Sequence, residues 1–489
     1  MYSLYLMFLR RFFEPSIAQT SYLIGCPEAG EAIVIDPNRD VEPYIAAAKS
    51  EGARITHVTE THIHADFVSG TRELAARTGA TMLVSAAGGP DWAYAFAEAP
   101  GVRTVRDGDR LDVGQVRLDV RHTPGHTPEH LTFLVTDRAT TDAPMGAATG
   151  DFLFVGDVGR PDLLERAAHL AGTMEVGARA LYRSLQAFAA EPDWLQIWPG
   201  HGAGSACGKG ISSIPQSTLG YEKRFNWAFR AASEAAFVRG VLSGQPDPPT
   251  YFARMKQLNQ QGPAVLGQWS TPPRLGGDRP EVELARLLAA GDVVIDTRRA
   301  DQFGVGHVPG TVNLPLNGSF PNWAGWLLPY DRDLTLIVST VEALQTAVRY
   351  LALIGLDRVR GYVEATVVDR WSDTGQPLAT IARIDPADLA ESLRHRGVTL
   401  VDVRNDGEWS GVGHIEGAVH IPLGHLTERL AELPRERPIV LQCQGGGRSA
   451  IGASLLRARG YRTVINFAPG ISGWIADGRP VVGQGTHES

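Results

Sequence analysis

The stretch from Val294 to Pro422 contains the same pattern twice, and this constrains the fold more than any other feature. Val294-Ile-Asp-Thr-Arg298 and Gly306-His-Val-Pro-Gly-Thr-Val-Asn-Leu-Pro315 return as Val401-Asp-Val-Arg404 and Gly413-His-Ile-Glu-Gly-Ala-Val-His-Ile-Pro422. The offset of 106 to 107 residues is far longer than a solenoid unit, so it predicts two copies of one domain and not a stacked array. Each copy reads strand, helix, strand, helix, the order of a parallel sheet covered by helices.

A chain of 489 residues exceeds one ordinary core and predicts about three domains. Its 43% hydrophobic and 20% charged residues are those of a globular protein. Lys and Arg number 46 against 54 Asp and Glu, and the net charge of −8 gives no general attraction to nucleic acid or to an anionic membrane. No apolar run approaches the ~20 residues that span a bilayer. Three cysteines, Cys26, Cys207 and Cys443, lie far apart. Their odd number argues against a disulfide framework and for a reducing compartment. The apolar start is followed, not preceded, by Arg10 and Arg11 and lacks a cleavage site, so no export signal is read and a cytoplasmic location is expected. Met7 is an equally good start.

Up to about residue 200, short β-branched runs at 32–35, 55–59, 81–84, 116–120 and 131–135 alternate with helical stretches, which predicts a mixed α/β domain over residues 1–245. Gln245-Pro-Asp-Pro-Pro249 and Thr271-Pro-Pro-Arg-Leu-Gly-Gly-Asp-Arg-Pro280 break the pattern. Residues 246–275 are therefore expected as a linker, followed by repeat domains at 276–378 and 379–489.

In the first domain, Thr61-His-Ile-His-Ala-Asp66 follows one strand, and His126, Asp157 and His201 each sit on a glycine-rich turn after another apolar run. Imidazoles and carboxylates are ligands that first-row transition metals accept, and glycine lets the turns aim them together. The set resembles the metallo-β-lactamase fold, an αββα sandwich. Two chemistries of that fold compete. Hydrolases such as glyoxalase II use two metals and place a histidine directly after the motif aspartate, where this chain has Phe67.

Persulfide dioxygenases of the same fold use one iron. Gly156-Asp-Val-Gly-Arg-Pro-Asp162 and Gly204-Ser-Ala-Cys-Gly-Lys209 are similar to that family. The resemblance implies one Fe(II) per chain on His62, His126 and Asp157, a two-histidine, one-carboxylate face with open positions. His64, Asp66 and His201 would then orient ligands or handle protons. Arg160, Cys207 and Lys209 flank the expected site as candidates for binding an anionic thiol compound. Phe67 departs from the dioxygenase pattern as well, where histidine is usual. Cys26 is expected to be structural.

In the last domain the apolar run 439–441 leads into Cys443-Gln-Gly-Gly-Gly-Arg448 and a helix. Successive glycines let backbone N–H groups turn toward the sulfur, while the helix N-terminus and Arg448 add positive potential, which favours a nucleophilic thiolate. With the repeat motifs, this resembles an active rhodanese domain. The counterpart of Cys443 in the first copy falls near Leu336 to Val338, where no cysteine exists, so that copy is expected to be a scaffold. The whole order is similar to persulfide dioxygenase and rhodanese fusions. It implies small-thiol persulfides (of glutathione, coenzyme A or the like), oxygen and sulfite as partners, thiosulfate as product, and a homo-oligomer. A glyoxalase II-like thioesterase joined to a sulfurtransferase remains the alternative.

Overall fold

The computed structural model describes residues 6–168, 172–267 and 269–483; part of the apolar chain start, residues 1–5, lies outside them. Two compact units emerge, one running to Trp269 and taking in Ala352–Gly355, the other made of Ser270–Leu351 and the chain from Leu356 onward.

The first unit is built on two six-stranded sheets. One follows chain order through Phe8–Glu14, Gln19–Cys26, Glu31–Ile35, Arg54–Thr59, Thr81–Ser85 and Val102–Val105. The other runs Ser217–Thr218, Gln196–Pro199, Gly146–Gly150, Leu131–Asp137, Val116–His122 and Arg110–Val113. Successive side chains on a strand point to opposite faces, and here both faces are covered. Tyr22 and Ile24 join Phe133, Val135 and Trp198 in the core between the sheets. Leu23 and Val34 face outward onto Tyr44 and Leu74 of the helices Glu42–Ser50 and Thr71–Thr78. On the far side Leu134 and Ile197 meet Leu181 and Phe237 of the helices Thr173–Phe188 and Glu234–Leu242. The result is the expected αββα sandwich. Arg10 and Arg11 are part of its first hairpin, and no described helix is long and apolar enough to cross a membrane.

The segment expected as a linker, 246–275, behaves differently. It contains the helix Phe252–Gln261, which belongs to the first unit. Asn259 on that helix is buried and donates to the carbonyls of His64 and Phe67, both at 2.7 Å, while accepting from Ser69 N at 2.9 Å. Proline punctuation correctly marked a break in regular structure, but a buried amide makes the following helix a clamp on the histidine-bearing loop.

The repeat copies lie together in the second unit, each with its own parallel sheet. Their strand orders correspond: Val312–Asn313, Val293–Asp296, Leu334–Val338, Val359–Glu364 in the first, and Val419–His420, Thr399–Asp402, Ile439–Gln442, Val464–Asn466, Ala382–Arg383 in the second. The shared Asp-x-Arg has a structural reason. Arg298 pairs with Asp296 and reaches the carbonyl of Gly306, and Arg404 pairs with Asp402 and reaches the carbonyl of Gly413. In each copy the pair ties a strand end to the Gly-His turn. By sheet register Asp296 faces Ile337 and Asp402 faces Gln442, so Val338 occupies the place of Cys443. Replacing Asn259 with alanine leaves two buried carbonyls unpaired, and destabilisation on the order of 2 kcal/mol or more is expected from the urea unfolding midpoint.

Candidate metal centre and sulfur-transfer cysteine

Four loops at strand ends converge in the first unit. His62 lies beyond Arg54–Thr59, His126 precedes Leu131–Asp137, Asp151 follows Gly146–Gly150, and His201 follows Gln196–Pro199. His62, His126 and Asp151 form one buried group with ligand atoms within 4.8 Å of one another, and Asp66, His201 and Cys207 form a second. Asp151 lies between the two groups. Its Oδ2 is 3.5 Å from His126 Nε2 and 4.0 Å from His62 Nε2, and its Oδ1 is 3.4 Å from His201 Nε2.

Hydrogen bonds on the far side of each ring decide which nitrogen carries a proton. His126 Nδ1 faces the carbonyl of Arg160 at 3.1 Å and His201 Nδ1 that of Ala18 at 3.1 Å. A carbonyl only accepts, so both Nδ1 atoms donate. Thr61 Oγ1 gives its hydrogen to Asp36 at 2.9 Å, leaving it to accept from His62 Nδ1 at 3.0 Å. For His62 and His126 this leaves Nε2 lone pairs toward Asp151 Oδ2. Both oxygens of Asp151 and Oδ2 of Asp66 have no hydrogen-bond partner although buried. Buried lone pairs facing lone pairs are satisfied by a cation between them, so the donor set fits a resident metal.

The protonation states agree. Burial holds His126 down at about 3 and pushes Asp151 up to about 6, so near neutral pH the imidazole is uncharged and the carboxyl ionised. Burial, with the neighbouring imidazoles, also puts His62 well below its usual range. His64 is different. Burial opposes its charge, but Asp36, bonded to Nε2 at 3.1 Å, more than offsets this and raises it to about 9. His64 is therefore a buried cation beside the centre.

The structure corrects the carboxylate. Asp157 is not with the histidines: its Oδ2 accepts from Gly210 N at 2.7 Å and its Oδ1 from Trp227 Nε1 at 2.9 Å. Both oxygens are committed to closing a turn. Asp151 was missed because it sits inside an apolar run, though the preceding Gly150 marks it: a Cβ there would come within 2.3 Å of Thr61 Oγ1. His130 was missed too. Its Nε2 accepts from Asp151 N at 3.1 Å, fixing the carboxylate's backbone.

Two flanking cations also have structural partners. Arg160 is fully buried on Asp162, at 2.9 and 2.7 Å, and donates to the carbonyls of Ala206 and Pro246. Lys209 donates to Gly240 O at 2.5 Å and Ser243 O at 2.7 Å. Arg160 is thus not available as an anion hook, and two of the three donors of the exposed Lys209 are taken by backbone carbonyls. Cys207 does reach the site, and burial raises its thiol well above the usual range. Phe67 is fully buried with its ring 4.4 Å from His64, an apolar wall where hydrolases would place a ligand. Cys26 packs in the core between the sheets.

In the second unit Cys443 directly follows the strand Ile439–Gln442, beneath the N-terminus of the helix Gly447–Ala458. Its Sγ accepts from Gly446 N at 3.2 Å and lies 3.5 Å from Ser449 Oγ. Gly446 has φ +88°, and a Cβ there would fall 2.2 Å from Ala468 O, so this turn requires glycine. Arg448 is bidentate on Glu408 at 2.6 and 2.5 Å. The first copy joins strand to helix with only Ser339 and Thr340 after Val338, which leaves no cradle.

Residues 17–201 match the Metallo-beta-lactamase superfamily and residues 385–477 the Rhodanese-like domain. A crystal structure of a metallo-beta-lactamase from Staphylococcus aureus subsp. aureus COL is 41% identical, covers 73% of this chain and 99% of that one, and has a TM-score of 0.65. The chain belongs to the metallo-beta-lactamase superfamily, with a rhodanese-like domain joined to it. The mitochondrial persulfide dioxygenase ETHE1 of Homo sapiens is 32% identical over 197 residues, 40% of this chain and 67% of that protein. A hydroxyacylglutathione hydrolase of Polaromonas sp. is 31% identical over 271 residues, 49% of this chain and 94% of that protein.

Asp151→Ala is expected to remove bound metal and Asp157→Asn to retain it, as read by elemental analysis of the purified proteins. Protonation of Asp151 competes with metal, so apparent affinity should hold above pH about 6 and fall by up to tenfold per pH unit below it, measurable by competition with a chelator.

Proposed function

We propose that this protein oxidises small-thiol persulfides with oxygen at a single ferrous centre and passes sulfane sulfur through Cys443. The observation that carries this reading is the presence, in one chain, of a two-histidine, one-carboxylate face and a cradled sulfur-transfer cysteine. His62, His126 and Asp151 would hold the metal, whose role is to bring oxygen and the terminal persulfide sulfur together for oxidation. The balanced reaction is RSSH + O2 + H2O → RSH + SO3²⁻ + 2H⁺.

The chain's own residues fit that demand. Thr61, with the carbonyls of Arg160 and Ala18, fixes the ring tautomers, and His130 fixes Asp151. Phe67 keeps one wall dry. At Cys443 the thiolate attacks the outer sulfur of a second persulfide and RS⁻ leaves. Sulfite then attacks the protein persulfide, releasing thiosulfate and restoring the thiolate. Tethering both sites in one chain raises the effective concentration of sulfite at the cysteine.

A two-metal thioesterase is the second reading, favoured by the donors Asp66, His201 and Cys207 around the other oxygen of Asp151. Oxygen-electrode assays with glutathione persulfide separate the two. The dioxygenase consumes one O2 per sulfite formed and carries iron, whereas the thioesterase carries zinc and cleaves S-lactoylglutathione without oxygen. Cys443→Ser should keep oxygen uptake and release sulfite in place of thiosulfate; unchanged thiosulfate would remove the relay.

A further inference from the structure

Cys443 opens into a cavity of about 600 Å³, and much of its lining comes from outside its own domain. Arg299, Asn317 and Trp323 of the nucleophile-less copy face it, as does Arg383 from the strand that begins the second copy. The copies are fastened at this place. The helix that starts above Cys443 sends Ser454 to Asn313 of the first copy, accepting from its N–H at 3.0 Å.

Size and charge limit what the cavity serves. Pockets of ~300–1,000 Å³ hold drug-sized organic molecules, whereas thiosulfate is an ion of a few atoms. Of the guanidiniums lining it, Arg448 is neutralised by Glu408 and Arg299 is paired with Asp301 at 3.1 Å. Arg383 is exposed and has no ion pair among the described residues. Its position is set by register: Arg383 pairs with Asn466, on the strand next to the one that delivers Cys443. Two strand spacings put its backbone roughly 10 Å from that strand. A peptide-like or nucleotide-like thiol, with its sulfur at one end and carboxylates or phosphates at the other, would span the cavity from Cys443 to Arg383 and fill far more of it than an inorganic donor.

We propose that the nucleophile-less copy and Arg383 form the specificity wall of the Cys443 site, which selects organic persulfides with an anionic tail over inorganic sulfane donors. This rests on the sulfur-accepting role of Cys443 given above and names its donor class. In the transfer, the Cys443 thiolate attacks the outer sulfur of RS–SH, the S–S bond of the donor breaks, RS⁻ departs, and Cys443–S–SH forms; no oxidant is needed. Arg383 is a positioning residue for the departing half, and Trp323 offers that half an apolar face.

The test is steady-state sulfur transfer to cyanide by the full chain, with glutathione persulfide, coenzyme A persulfide and thiosulfate as separate donors. Arg383→Ala should raise KM about tenfold for one or both organic donors, the effect of a lost contact of ~1.4 kcal/mol, with kcat unchanged and thiosulfate kinetics within twofold. Arg383→Lys should recover most of the loss and Arg383→Glu deepen it. Equal changes for all donors, or none for any, would overturn the proposal. Cys443→Ser, run alongside, must abolish transfer from every donor; transfer that survives it refutes the role of Cys443 itself, a separate failure.

Discussion

Asp151 carries two buried oxygens without a hydrogen-bond partner, and the first unit is arranged around them. The carboxylate faces histidine nitrogens on both sides. At His62 and His126, burial keeps the rings neutral and the bonds behind them hold the one proton on Nδ1, which leaves Nε2 as an acceptor. Such an arrangement is unfavourable alone, since an uncompensated buried charge is strongly destabilising, and it becomes favourable once a cation is supplied. The αββα framework can bear the cost because the inter-sheet core and the two outer helical layers are continuously apolar. Asn259 then clamps the loop that brings His62 and His64 to the same point.

The second unit works by a related device with the opposite sign. Where the metal centre concentrates acceptors, the cysteine loop concentrates donors: Gly446 N–H on the sulfur and the N-terminus of the following helix, while Arg448 is held by Glu408. Both copies keep the same sheet and the same Asp–Arg fastening. They differ in the turn after one strand, which in the first copy is too short and lacks glycine to form a cradle. Loss of the loop leaves the copy free to serve as the wall across from its partner's sulfur.

Much of this was legible in the residues. The repeat announced two like domains, and Cys443-Gln-Gly-Gly-Gly-Arg448 announced its cradle, because local turn geometry and dipoles need no distant partner. The metal loops could be recognised from glycine next to histidine. The carboxylate could not be chosen that way. Asp151 and Asp157 both follow glycine on one segment, and only the hydrogen bonds from Gly210 and Trp227, more than fifty residues on, show which one is already committed. Arg160 and Lys209 misled for a similar reason: a charge beside a site in sequence reads as a ligand hook, while Arg160 is buried on Asp162 and Lys209 already donates to backbone carbonyls. The stretch between the two proline breaks hid a helix whose buried asparagine belongs to the first unit, a contact across nearly two hundred residues that no local pattern reveals.

Anomalous diffraction from crystals of anaerobically purified protein, collected on both sides of the iron absorption edge, tests the centre most directly. The account predicts one iron peak bounded by His62 Nε2, His126 Nε2 and Asp151 Oδ2, with no metal density at Asp157. A pair of zinc peaks straddling Asp151, or iron bound elsewhere with these three side chains unengaged, would contradict it.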